Sequence, residues 1–188
     1  MKIQDFCTIR LGHAFRERLV GHPDGEVLVI QPKNILSDGS ISFRGDAPLK
    51  MDVSASKFLQ PGDVLVVNRG RFAASVFDFS DGKRWIAPSS IIVLTINMTS
   101  VLPGYLACYL NSANGQNMFQ RHFEQTTISF ISGKNLGEMN IPIPSLDRQR
   151  AVVAFEQATE KYKQLSWRKQ EIYRQFVNHT LIPKENSL

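Results

Sequence analysis

Cysteine is nearly missing from this chain. Cys7 and Cys108 stand far apart and form no CxxC pair, which leaves no disulfide framework and no thiolate metal site; two reduced, mostly buried thiols are expected. Long apolar runs are missing too. Every apolar run, the short stretch Ile91–Leu94 among them, falls well short of the ~20 residues a membrane span needs. The opening Met1-Lys2-Ile3-Gln4-Asp5 has no apolar signal core, so a cytoplasmic protein without membrane contact is expected.

The motifs of common catalytic sites are absent as well. No GxSxG elbow, P-loop, GxGxxG or HExxH occurs, and the four histidines (His13, His22, His122 and His179) are scattered. Nor is there an Asn-Pro-Pro-Tyr motif of the kind that amino-methylating DNA methyltransferases carry. No catalytic site, resident metal or cofactor is therefore expected.

What remains is a chain of 188 residues, 43% hydrophobic and 21% charged, the balance of a folded protein. Its formal net charge of +5 is compatible with a polyanionic partner without requiring one.

Two regions differ in periodicity. Up to Pro144, short runs rich in β-branched residues alternate with Gly, Pro, Asn and Asp. Glu26–Gln31, Val64–Val67, Ala74–Phe79 and Ile91–Ile96 read as strands, and Ser80-Asp81-Gly82-Lys83 as a hairpin turn with Gly82 at positive φ. Pro103 opens a helix through Tyr105, Leu106, Tyr109 and Leu110. The Asn111–Gly115 segment interrupts it before Met118, Phe119 and Phe123 resume the apolar face, and Thr126–Ile131 is strand-like again. From Leu146 to about Ile182 there is neither Gly nor Pro. Apolar residues there step by four and three: Ala151, Phe155, Ala158, Tyr162, Leu165, then Lys169, then Ile172 and Phe176. Ser145 suits an N-cap, Asp147 the helix dipole, and Pro183 marks the end. One helix over Asp147–Ile182 would be ~54 Å long, too long to lie wholly on a domain with a radius of gyration of about 15 Å. The fold class is therefore α+β: a compact β-rich domain over residues 1–144, followed over 145–188 by one long coiled-coil helix whose seam needs a partner.

Binding candidates are cations and amides beside turns. Arg16, Arg18, Arg44, Arg69, Arg71, Lys83 and Arg84 form one set, with Arg69-Gly70-Arg71 directly after a strand. Arg121, Gln125, Thr126, Thr127, Ser129 and Lys134 form a second. Arginine bonds guanine or phosphate bidentately, and Gln and Thr suit base edges. Pro61-Gly62-Asp63 with Asp81-Gly82-Lys83 loosely matches the PD…(D/E)xK pattern of metal-dependent nucleases, but a turn is the better account of Asp81 and Lys83. A protein-only adaptor assembled through the helix is a further alternative.

Several stretches, in order, resemble the specificity (S) subunits of type I restriction–modification systems. They are Ile9-Arg10-Leu11-Gly12 with Val29–Ile35; Pro61-Gly62-Asp63-Val64-Leu65-Val66-Val67-Asn68-Arg69-Gly70; Pro103-Gly104-Tyr105-Leu106 through Ser112; and Ile141-Pro142-Ile143-Pro144-Ser145-Leu146-Asp147-Arg148-Gln149 leading into the long helix. Two positions depart from the family pattern, Ser145 for a proline and Arg148 for a glutamate. The resemblance implies one target-recognition domain and one helix, where a typical S subunit has two of each. It implies a non-catalytic subunit that reads double-stranded DNA and docks a DNA adenine methyltransferase, with S-adenosylmethionine on that partner. It also implies pairing with a second copy or a second half-subunit, so that two domains read a bipartite site.

Overall fold

The computed structural model describes residues 1–36, 38–43, 45, 47–121 and 130–180. Six strands are present: β1 (Cys7–Leu11), β2 (Val27–Val29), β3 (Val64–Val67), β4 (Ala74–Val76), β5 (Arg84–Ile86) and β6 (Ile91–Ile96). Four helices follow: α1 (Pro103–Asn111), α2 (Ala113–Arg121), α3 (Gly133–Gly137) and α4 (Leu146–Thr180).

The central sheet is antiparallel, in the order β1-β6-β3-β4, with Val64 opposite Leu94 and Val66 opposite Ile92. Side chains alternate across a strand, and here both faces are covered. Val64, Val66, Ile92 and Leu94 pack under α1 and α2 with Leu106, Leu110 and Phe119. Leu65, Val67, Ile91 and Val93 face a second layer containing Ile30, Phe77 and Trp85. That double burial explains why Val64–Val67 is an unbroken apolar run rather than an alternating one. A two-stranded parallel sheet, β2 with β5, closes the second layer.

One expectation is corrected. Gly82 does take φ +72°, but Asp81–Gly82 is not a hairpin turn. It links β4 of the central sheet to β5 of the two-stranded sheet. The Asp81 carboxylate accepts from the Lys83 N–H and the Trp85 indole N–H, and this bends the chain so that Trp85 enters the second core. Two strands are shorter than read: β2 spans Val27–Val29, and β4 stops at Val76, although Phe77 still exchanges backbone bonds with Gly62 and Asp63.

The helical reading holds. The break between α1 and α2 falls at Ser112, where Gly115 sits against the Tyr109 and Leu110 carbonyls with no room for a Cβ. α4 runs 35 residues, ~52 Å, and residues beyond Thr180 lie outside those described. It is fastened at its start. Gln149, fully buried, accepts from the Leu102 N–H and donates to the Ser100 and Pro144 carbonyls. Val153 then packs against Gly104 of α1.

Candidate nucleic-acid interface

Charge is unevenly spread. α4 carries seven basic and four acidic residues, a net +3 of the chain's +5, so the globular domain is close to neutral. Any polyanion surface on that domain must come from which cations are left without a carboxylate.

Several are neutralised. Arg10, which the sequence reading did not single out, lies inside the domain. Its guanidinium pairs with Asp63 at 3.0 Å and donates to the Lys57 and Phe58 carbonyls. Asp63, 1% exposed, also accepts from Thr95 Oγ1 and the Gln60 N–H. Lys83 stands 3.9 Å from Asp81, and Arg84 pairs with Glu26 at 3.2 Å. The indole hydrogen bond from Trp85, helped by the Lys83 N–H, holds the Asp81 carboxyl below its ordinary range. Asp63 and Asp81 are thus each committed to other partners. Among the described residues no three acidic, histidine or cysteine side chains are placed to hold a metal ion.

Arg16, Arg18, Arg69, Arg71 and Arg121 are exposed, and none has a carboxylate partner among the described residues. Four of them are linked through neighbouring elements. The turn Arg69-Gly70-Arg71 joins β3 to β4, with Gly70 at φ +75° where a side chain would be strained. Arg69 bridges to Phe130 through the backbone and lies over its ring at 5.7 Å. Phe72 stacks on Phe119 at 4.7 Å, which brings the last turn of α2, with Arg121, beside the same turn. Arg71 donates to the carbonyls of Pro32 and Ile35, clamping the short turn that carries Lys33. Lys33 shares a polar cleft of about 420 Å³ with Arg18 and Gln31. Lys33 and Gln31 were not among the binding candidates, although both lie in the stretch Val29–Ile35 that carries the resemblance to specificity subunits.

Other candidates lie elsewhere. Lys83 and Arg84 sit where β5 and β2 begin, at the opposite end of that small sheet from Gln31. Lys134 is on α3, which packs on β1, and near Glu138. Arg44, Gln125, Thr126, Thr127 and Ser129 lie outside the described residues.

The seam on α4 is open to solvent. Phe155 is 72% exposed, Tyr162 74%, Leu165 58%, Ile172 59% and Phe176 57%. Ala151 and Ala158 between them are exposed too. This stripe lies on the side away from Gln149 and Val153, and the domain leaves it uncovered. No helix among the described residues is long and apolar enough to cross a membrane.

Comparison with protein-family models finds no match, and none of the curated proteins matches either. Solved structures do. A structure described as that of complex assembly and conformational transition of the type I R-M system aligns over 95% of this chain and 42% of its own, at 19% identity and TM-score 0.66. The type I restriction–modification S subunit from M. genitalium covers 95% of this chain and 43% of its own, at 18% identity and TM-score 0.61. The HsdS subunit from Thermoanaerobacter tengcongensis covers 90% and 39%, at 18% identity and TM-score 0.58. The fold of this chain is therefore that of the specificity subunits, and it spans about two fifths of their length.

Proposed function

We propose, from that shared fold, that this chain is a sequence-specific DNA-recognition module of a type I restriction–modification complex, without catalysis of its own. The observation that carries the reading is the fold match over nearly the whole chain to about two fifths of each specificity subunit. One recognition domain with one helix would match in this way.

In this reading the Arg69–Arg71 turn, Arg121 and the Arg18–Lys33 cleft face double-stranded DNA. Phosphate contacts set the register there and amides read base edges. Lys83 and Arg84, each beside a carboxylate at the far end of the small sheet, contribute less. α4 pairs with a second half, so that two domains read the two parts of a bipartite site. A DNA adenine methyltransferase docks on the same rod and supplies S-adenosylmethionine and the methyl transfer. Trp167, 68% exposed, lies on the side of α4 that bears Gln149 and Val153 but beyond the domain, and suits such docking.

Fluorescence anisotropy against random DNA libraries, with and without the methyltransferase subunit, tests the reading. Selection of one bipartite sequence, with affinity falling steeply as salt rises, is expected. Indifference to sequence together with a salt-independent signal would refute it.

A further inference from the structure

On the side of α4 that faces the domain, a cleft of about 620 Å³ lies between the two, starting at Val153. Small-molecule sites run from about 300 to 1,000 Å³ and combine apolar walls with a few polar groups. This cleft has both. Ile41, Val76 and Ala107 of the domain and Val153 of the rod supply apolar wall. The charged groups are mostly of one sign. Asp38, on the link between β2 and β3, faces the cleft from the domain, and Glu156 and Glu160 face it from α4. Lys161 is the one cation of the lining among the described residues, and Lys163 stands 3.6 Å from Glu160. In a chain of net charge +5 this is an acidic concavity. Asp38 accepts from the Ser40 N–H and hydroxyl and is also in hydrogen-bond contact with the Glu160 carboxyl group. Two carboxylates held that close repel when both are ionised, and a positive charge between them relieves the repulsion.

We propose that this cleft binds a small organic cation with an apolar body, its charge among Asp38, Glu156 and Glu160 and its body against Ile41, Val76 and Val153. The lining selects that chemistry. Phosphates and nucleotides are repelled by the same carboxylates. A bare inorganic ion would leave the apolar wall in water, and the described residues bring no three metal ligands together. Neither the Arg69–Arg71 turn nor the Arg18–Lys33 cleft contributes a residue, so this site is separate from the surface proposed to face DNA. One wall belongs to the domain and the other to the rod. A bound cation therefore bridges them further along α4 than the Gln149 anchor reaches.

Cys108 lines the cleft and can report on it. It is half-buried, and burial, helped by the Glu156 charge, pushes its thiol up, so iodoacetamide should alkylate it slowly in the folded chain. The reaction at Cys108 is followed by peptide mass spectrometry on the full chain at constant ionic strength. Three probes are compared: benzyltrimethylammonium, benzyl alcohol (the body without the charge) and tetramethylammonium (the charge without the body). Benzyltrimethylammonium should slow alkylation at least ~5-fold and saturably, with half the effect on the order of 1–5 mM, and the other two by less than about twofold there. Changing Glu156→Gln and Glu160→Gln together should raise the half-effect concentration about tenfold. Asp38→Asn, from the domain side, should raise it too. Asp147→Asn, which removes an exposed α4 carboxylate outside the cleft, should leave it unchanged. Half-effect concentrations are compared rather than rates, because removing the Glu156 charge alters the thiol itself. Failure of benzyltrimethylammonium to protect Cys108 would overturn the proposal. Equal protection by benzyl alcohol would do the same, as would a half-effect concentration that Asp147→Asn shifts as far as the cleft variants do.

Discussion

Replacing Gln149 by leucine tests whether one amide fastens the rod to the domain. Gln149 is fully buried on the first turn of α4 and makes three hydrogen bonds, one from the Leu102 N–H at 2.9 Å and two to the Ser100 and Pro144 carbonyls at 2.8 Å. Leucine nearly matches glutamine in shape but leaves one donor and two acceptors without partners. Each stranded group costs about 1–3 kcal/mol. Ser100 is exposed, so water can reach part of the site, and a net loss of about 3–5 kcal/mol is expected. Urea unfolding at fixed protein concentration reads it as a midpoint lowered by roughly 1.5–2.5 M, for a slope of ~2 kcal/mol/M. Arg148→Ala, at the exposed neighbouring position, should change stability by less than about 0.5 kcal/mol. Gln149→Glu keeps the acceptor for Leu102 but turns a carboxylate toward two carbonyls; its loss should be large at neutral pH and ease as acid protonates the group. If Gln149→Leu unfolds within about 1 kcal/mol of the unaltered protein, the anchoring argument is wrong.

Three other outcomes are expected. Phe155→Asp, at a residue 72% exposed, should abolish pairing in sedimentation while leaving the circular dichroism of the domain unchanged. Asp63→Ala strands the Arg10 guanidinium, whose side chain is only 20% exposed, and should destabilise by about 3–5 kcal/mol in thermal or urea unfolding; loss of DNA binding without loss of stability would instead favour a direct role for the carboxylate. Burial pushes the Cys7 thiol up to about 12, so a thiol reagent at pH 8 should label it only after unfolding. Because the folded thiol keeps its proton while the unfolded one ionises near 8.5, stability should decline as pH rises through the range between them.

The elements with a strong local signal were legible in the sequence. The apolar runs Val64–Val67 and Ile91–Ile96 became the two inner strands of the sheet, and the change of period after Pro144 became a single helix with an open stripe. The Asp81–Gly82 bend was legible only in part: its glycine conformation follows from local chemistry, but whether the flanking strands pair depends on where Trp85 is buried.

The basic surface was the least legible. A cation's spacing along the chain does not show which carboxylate lies beside it in space. Arg84 and Arg69 look alike in sequence, yet one pairs with Glu26, far off in the chain, and the other lies over Phe130. Gln149 belonged to a motif, but its task appeared only once Ser100, Leu102 and Pro144 were seen around it.

By itself, then, the sequence determined the class of the fold, the long helix and its unfilled apolar face, because periodicity is a property of neighbouring residues. Only the tertiary structure decided which charges remain available, how the domain grips the rod, and which side of the rod is left open, because these depend on contacts between residues far apart in the chain, such as Arg84 with Glu26 and Gln149 with Ser100 and Leu102.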